Sequence, residues 1–178
     1  MLDPSPLDIE IGDIAHGLAR VARWNGQTKG DHALSVAQHS LLVEDIASRL
    51  LDRPNQTEQL FALLHDAAEY VIGDMISPFK AVMGGNYKEV EIRLEAAINI
   101  WAGLKPHPPA KLKKTIKQAD RQVAYMEATQ LAGFGDKEAA KFFGLPDPDF
   151  SNIEIVPLPA PEAQAAFERR FDELRTAT

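Results

Sequence analysis

Apolar residues recur at intervals of three and four along most of this chain, a spacing that places them on one face of an α-helix. The last such stripe consists of Ala163, Phe167, Phe171 and Leu174. The longest alternating, strand-like pattern covers only residues 153–156. The sequence therefore predicts an all-α fold.

Start and stop signals divide this pattern into separate helices. The predicted helices are about 11–22, 36–50, 57–71, 87–102 and 109–131, followed by the amphipathic helix near the C-terminus. Ser35 with Gln38 predicts a capping box at the start of the second helix. Gly, Pro and Asp cluster in residues 133–160, which predicts a loop.

The length of 178 residues is enough for one domain with a full hydrophobic core. We expect residues 1–178 to form that single domain, with its core in about 11–131 and a C-terminal loop and helix in 133–178. The net charge of −7 argues against non-specific nucleic-acid binding, and the absence of cysteine excludes disulfides and thiolate metal sites. With neither an export signal nor an apolar run of membrane-spanning length, the sequence predicts a cytoplasmic protein without a membrane partner.

Four residues of metal-liganding type lie in apolar surroundings. His65 and Asp66 directly follow the apolar run 60–64, and His39 and Asp120 lie in similar predicted helices. Any one of them alone is more often a hydrogen-bonded polar residue than a ligand. Together they offer two nitrogen and two oxygen donors, which suit a divalent cation with open positions for water and substrate.

The order of His39, His65-Asp66 and Asp120 resembles the H…HD…D signature of the HD-domain phosphohydrolase superfamily. Further features are similar to the bacterial 5′-deoxynucleotidase group: Arg23-Trp24, Glu69, Gly73-Asp74, Ser77-Pro78-Phe79-Lys80, and Ala124-Tyr125 after Gln118-Ala119-Asp120. The likeness spans roughly residues 11–131. It implies a metal-dependent enzyme that removes the 5′-phosphate of nucleoside monophosphates and favours deoxyribonucleotides.

The resemblance implies a metal centre with His39, His65, Asp66 and Asp120 as its ligands. Only His107 lies between the His-Asp pair and the last aspartate, whereas dinuclear members of the superfamily have additional histidines there. We therefore expect one divalent ion, which could be Mn, Co, Mg, Ni, Fe or Zn.

Two acidic residues are candidates for catalysis. Glu69 either holds the attacking water or a substrate hydroxyl, or orients the metal ligands. The resemblance implies that Asp74 protonates the leaving alkoxide. The alternative is a turn residue, since aspartate is common after a glycine.

The substrate-binding candidates are Arg23, Trp24, Ser77 and Lys80. The resemblance makes Arg23 and Lys80 phosphate-binding residues and makes Trp24 the residue that excludes a ribose 2′-hydroxyl. The general alternatives are a core position for the tryptophan and a solvated lysine.

Two other functions remain open from the sequence. The enzyme could hydrolyse another nucleotide, such as a phosphodiester or a guanosine alarmone, or the chain could be a catalytically silent nucleotide sensor. A homodimer is compatible with the apolar face of the last helix, which could equally pack on its own core.

Overall fold

The computed structural model describes residues 4–75 and 85–176, and within them all regular secondary structure is helical. The α-helices, α1 to α8 in chain order, are Ile11–Leu18, Val36–Leu50, Gln56–Leu63, Glu69–Ile72, Gly85–Trp101, Ala110–Gln130, Asp136–Phe143 and Ala160–Thr176. An isolated antiparallel bridge joins Ala22 to Ser35. The predicted all-α fold is confirmed.

The start of α2 differs from the predicted capping box. Ser35 Oγ accepts a hydrogen bond from the backbone N–H of Gln38 at 3.2 Å, which is half of that motif. The side chain of Gln38 instead donates to Val156 O at 2.6 Å and accepts from Leu158 N at 3.0 Å. Gln38 therefore joins the segment before α8 to α2.

The predicted helix 57–71 is interrupted, and this prediction was wrong. Helix α3 ends at Leu63, and α4 begins only at Glu69. Between them, backbone bonds such as Ala67 N to Leu64 O span three residues, which is tighter than in an α-helix. His65 Nδ1 also binds Ala62 O at 2.9 Å, so a side chain occupies a carbonyl at the end of α3.

Two other boundaries differ from the predictions. Helix α1 ends at Leu18, and a short 3₁₀ segment, Arg23–Gly26, follows it. The predicted loop 133–160 contains helix α7. The sequence pattern did not reveal this helix, because eight residues are too few for a clear periodic pattern. It packs on α6, and Phe143 at its end contacts the ring of Trp24.

The core is formed by two groups of buried residues. One group joins α1, α5 and α8, and the other joins α2, α6 and α7. Helix α2 contacts α3, α6 and α8, so residues near its start lie at the centre of the fold. The predicted apolar face of α8 is buried in the first group, with Phe171 stacked on Trp101 at 5.3 Å. That face therefore gives no support for a dimer.

Two specific contacts fix the helices against one another. Glu44 on α2 is buried and accepts hydrogen bonds from Arg170 Nε and Nη2 on α8, both at 2.9 Å. A Cβ placed on Gly17 of α1 would lie 2.8 Å from the Cβ of Tyr70 on α4, so α1 and α4 approach closely only because residue 17 is glycine.

Among the described residues, no helix combines the length and apolar character needed to cross a membrane.

Candidate metal centre and its surroundings

Histidine and aspartate side chains from three parts of the chain converge near the start of α2. His39 comes from α2, His65 from the turn after α3 and Asp120 from α6, and one potential ligand atom of each lies within 4.8 Å of the others. His39 Nε2 lies 3.4 Å from Asp120 Oδ1. Asp66 Oδ2 lies 3.5 Å from His39 Nε2 and 3.2 Å from His65 Nε2. The structure thus brings together all four residues proposed from the sequence.

The two histidines present the same nitrogen atom to this cluster. His39 Nδ1 contacts Glu127 Oε1 at 2.7 Å, and His65 Nδ1 contacts Ala62 O at 2.9 Å. Because a carboxylate and a carbonyl can only accept, each Nδ1 donates, and a neutral ring then carries its lone pair on Nε2. Both Nε2 atoms are buried and lack a hydrogen bond of acceptable geometry within the described residues.

This arrangement passes a chemical test for a divalent cation. Buried polar atoms without a partner are costly, and two of them here are imidazole nitrogens that face carboxylate oxygens. Hydrogen bonding of the opposite nitrogen to a carboxylate or carbonyl is the usual way in which proteins orient a metal-binding histidine. The residues present therefore fit a mixed nitrogen and oxygen metal site.

Glu127 is a member of the site that the sequence analysis missed. Its side chain is fully buried on α6 and accepts hydrogen bonds from His39 Nδ1, Trp24 Nε1 and Arg23 Nη2, at 2.7, 2.9 and 3.2 Å. Burial opposes its ionisation, but the charge of Arg23 and the contact with His39 lower the pKa of Glu127 to about 2. It follows Asp120 by two helical turns, inside a run of buried residues, and this is the signal that could have identified it.

Arg23 lies between two carboxylates. Its Nη1 donates to Asp74 Oδ2 at 3.2 Å, and its Nη2 donates to Glu127 Oε2 at 3.2 Å. Burial lowers the pKa of Arg23, but the charges of Glu127 and Asp74 outweigh this effect and raise it. The guanidinium is therefore positioned beside the cluster, and its predicted contact with phosphate stays a prediction.

Trp24 is held in an unusual backbone conformation, with φ at +55°. Its indole N–H donates to Glu127, and its ring packs against Phe134 and Phe143, with centroids 5.5 and 5.9 Å away. The ring contacts show that Trp24 packs against two phenylalanines. Its predicted role in excluding a ribose 2′-hydroxyl stays a prediction.

The candidate catalytic acids lie at the two ends of α4. Glu69 is the first residue of this helix and is buried. His65 precedes α4 in the tight turn, so His65 and Glu69 do not lie on one continuous α-helix. Asp74 follows Gly73 beyond the helix end and pairs with Arg23. The substrate-binding candidates Ser77 and Lys80 lie outside the described residues.

A cavity of about 240 Å³ adjoins the cluster, and His65 and Asp120 form part of its lining. His107 also lines this cavity, but it is not one of the residues whose ligand atoms converge. A small molecule bound at the cluster therefore has space to extend between α3, α5 and α6.

The described residues thus combine a helical fold with converging histidine and aspartate side chains that could hold a metal ion, and with an adjoining cavity. Residues 13–144 match the family model described as 5′-deoxynucleotidase YfbR-like. Over 175 residues the chain is 53% identical to an uncharacterized protein of Rhodobacter capsulatus, and the match covers 98% of this chain and 89% of that relative. The chain belongs to the YfbR-like 5′-deoxynucleotidase family, which is a family of hydrolases. This finding confirms the resemblance to the 5′-deoxynucleotidase group.

Proposed function

We propose that this protein is a metal-dependent phosphohydrolase that removes the 5′-phosphate of nucleoside monophosphates and favours deoxyribonucleotides. The observation that carries the proposal is the pair of buried, unsatisfied Nε2 atoms of His39 and His65, which face the carboxylates of Asp66 and Asp120. Membership of the 5′-deoxynucleotidase family supports the choice of reaction.

His39, His65, Asp66 and Asp120 would hold one divalent cation. When bound, the ion supplies Lewis acidity toward the phosphoryl oxygens and lowers the pKa of a coordinated water. The hydrogen bonds from the two Nδ1 atoms keep the rings oriented, so the nitrogen ligands need little rearrangement on binding.

Arg23 would offset the charge of the substrate phosphate. Its guanidinium can form a two-point contact with phosphate, but one of its sides faces Asp74. Phosphate would compete with Asp74 for this side, whereas the deeper contact with Glu127 keeps the guanidinium in place. Phosphate binding would thus release the Asp74 carboxyl from its ion pair.

Asp74 would then act as the general acid. A general acid must carry a proton when the bond to the leaving oxygen breaks, and an aspartate in an ion pair does not. We infer that Asp74, once its pair with Arg23 has opened, takes up a proton from solvent water and passes it to the departing 5′-oxygen. Glu69, buried at the start of α4, would position the attacking water, and Trp24 would close the site against a 2′-hydroxyl.

A screen of phosphate release tests this function. Purified protein is incubated with deoxyribonucleotides, ribonucleotides and nucleoside triphosphates, each with Mn, Co, Mg, Ni, Fe or Zn. We expect dAMP to be hydrolysed faster than AMP and faster than dATP. Equal rates on dAMP and AMP would remove the deoxyribonucleotide preference. Turnover of phosphodiesters alone would identify a different hydrolase, and nucleotide binding without turnover would identify a sensor.

Single substitutions test the metal centre. His39→Ala and Asp120→Ala should each lose bound metal, measured by elemental analysis, together with phosphate release. His16→Ala is the matched control, because His16 is exposed on α1 and distant in sequence from both ligands. Full metal occupancy in either ligand variant would remove that residue from the proposed centre.

A further inference from the structure

Three glutamine side chains hold residues 145–158, a segment between α7 and α8 that we call the strap. Each amide makes the same pair of contacts: its Nε2 donates to the carbonyl of one strap residue, and its Oε1 accepts from the backbone N–H two residues later. The pairs are Gln122 with Leu145 O at 3.3 Å and Asp147 N at 2.7 Å, Gln130 with Ile153 O and Ile155 N, both at 2.9 Å, and Gln38 with Val156 O at 2.6 Å and Leu158 N at 3.0 Å. Each glutamine thus pairs with the strap as the backbone of a neighbouring strand would.

The strap crosses from α6 to α2 at one point. Gln122 and Gln130 belong to α6, whereas Gln38 lies in the first turn of α2. Ile155 bonds to Gln130 through its N–H, and the next residue, Val156, bonds to Gln38 through its carbonyl. Two consecutive residues of the strap therefore join the two helices.

This crossing lies beside the contact that orients His39. On α2, His39 follows Gln38 directly, and on α6, Glu127 precedes Gln130 by three residues, which is less than one turn. His39 Nδ1 donates to Glu127 Oε1 at 2.7 Å across the same two helices. The strap and this hydrogen bond therefore span the same gap between α2 and α6.

The strap is held firmly enough to act as a brace. Phe150 and Ile155 are buried in the core group that joins α2, α6 and α7. Pro157 and Pro159 restrict the backbone on either side of Leu158, because proline fixes its own φ. Packed helices can still slide past one another by small amounts, since apolar contacts have no preferred direction. Hydrogen bonds from one segment to both helices oppose that sliding.

We propose that the strap is a brace that fixes α2 against α6 at the metal centre, with Gln38 and Gln130 as positioning residues that act through His39. The inference deepens the proposed function and rests on it, since the orientation of His39 matters most when its Nε2 binds a metal ion. Release of the strap at either glutamine should let the two helices shift, and the hydrogen bond from His39 Nδ1 to Glu127 should weaken. Gln122 holds the strap on α6 alone and does not take part in the bridge.

Replacement of each glutamine by methionine tests the brace. Methionine keeps the length and the helix propensity of glutamine but lacks the amide. Metal affinity is measured by calorimetric titration at pH 7 with each metal of the phosphate-release screen. Gln38→Met and Gln130→Met should each bind metal about 10-fold more weakly, the lower end of the range for loss of a partner that orients a metal-binding histidine. Gln122→Met is the matched control, because it also loses two bonds to the strap but leaves the bridge, and it should keep wild-type affinity.

The variant that combines Gln38→Met with Gln130→Met distinguishes a brace from two local effects. A bridge that is open at one end no longer joins the helices, so opening its other end should change little. The double variant should therefore also lose about 10-fold in affinity, whereas independent effects would multiply to about 100-fold. A multiplicative loss, wild-type affinity in both single variants, or an equal loss in Gln122→Met overturns the proposal.

Shorter side chains give a second test at the same two positions. Gln38→Asn and Gln130→Asn keep an uncharged amide, but each lacks one methylene and cannot reach the strap. They should show the same loss of affinity, including where a methionine variant does not fold. Wild-type affinity in both asparagine variants would mean that the bonds to the strap do not position the centre, and would overturn the brace.

A readout without metal separates this inference from the proposed function. In the metal-free protein, the His39 Nδ1–H proton gives an NMR signal that is identified by its loss in His39→Ala, and its exchange with solvent reports the contact with Glu127. Exchange should be faster in Gln38→Met and Gln130→Met than in wild type, and unchanged exchange in both overturns the brace. Faster exchange in these variants, together with a wild-type protein that binds no metal or releases no phosphate, overturns the proposed function and leaves the brace.

Discussion

Replacement of Glu127 by glutamine should weaken both the fold and the metal centre. The variant removes one negative charge and little volume, but that charge accepts hydrogen bonds from Arg23, Trp24 and His39 inside the protein. A glutamine amide offers one oxygen to these donors, and its NH₂ group would face another donor. One of the three buried donors would then lose its partner.

The magnitude follows from the protonation equilibrium of Glu127. Its pKa lies at about 2, compared with an ordinary value of 4.5, and each tenfold change in an equilibrium constant corresponds to about 1.4 kcal/mol. The ionised carboxylate therefore stabilises the folded state by about 3 kcal/mol. Because the folded-state pKa is the lower one, this contribution is complete above about pH 4.5 and is lost as the pH falls toward 2.

Urea unfolding of the metal-free protein measures this effect. At pH 7, Glu127→Gln should lower the free energy of unfolding by about 3 kcal/mol, and its difference from wild type should shrink as the pH falls below about 4.5. Glu154→Gln is the control, because Glu154 is exposed and its loss should change little. A difference between Glu127→Gln and wild type that stays constant down to about pH 3 would refute the electrostatic reasoning.

Metal affinity gives a second and independent measurement. Loss of the partner that orients a metal-binding histidine typically weakens binding by about 10- to 100-fold. Calorimetric titration of Glu127→Gln at pH 7 should show a loss in this range, because His39 would lack its charged acceptor. Unchanged affinity would mean that packing alone orients His39.

Three further predictions concern catalysis, packing and metal content. Asp74→Asn should lower kcat on a nucleotide by roughly 10²–10⁴-fold but have much less effect on p-nitrophenyl phosphate, whose leaving group needs no proton; equal losses would exclude the general-acid role. Gly17→Ala should destabilise the protein by about 1–3 kcal/mol in urea unfolding, since its Cβ would lie 2.8 Å from that of Tyr70, whereas Gly12→Ala has no atom within 4 Å and should not; equal midpoints would show that α1 and α4 move apart easily. Anomalous scattering should show one ion per chain, and two ions about 3.5–4 Å apart would contradict a mononuclear centre.

Local patterns were sufficient to predict the long helices and to single out polar residues that converge near the start of α2. Periodicity of apolar residues identifies a helix of 15 or 21 residues, such as α2 or α6. A histidine or aspartate inside such a pattern is visible because burial of these side chains requires a partner. His39 and Asp120 could therefore be identified without knowledge of their distance.

The errors arose where tertiary contacts decide the structure. The side chain of His65 takes a backbone carbonyl in the turn after α3, and apolar spacing contains no sign of that interruption. Helix α7 is short, and Phe143 at its end packs on the ring of Trp24, which lies far away in sequence. Isolated helices of this length are unstable in water, so local sequence alone gives a weak signal.

The partner of Arg23 was the most consequential omission. The resemblance predicts that Arg23 binds phosphate, but a largely buried guanidinium also needs a permanent counter-charge. Glu127 provides it, and its other oxygen accepts a hydrogen bond from His39, a proposed metal ligand. Because one rigid carboxylate contacts both groups, a change that displaces Arg23 should also disturb the orientation of His39. We therefore expect substitutions of Arg23 to reduce metal affinity as well as nucleotide affinity, although Arg23 is not a proposed ligand.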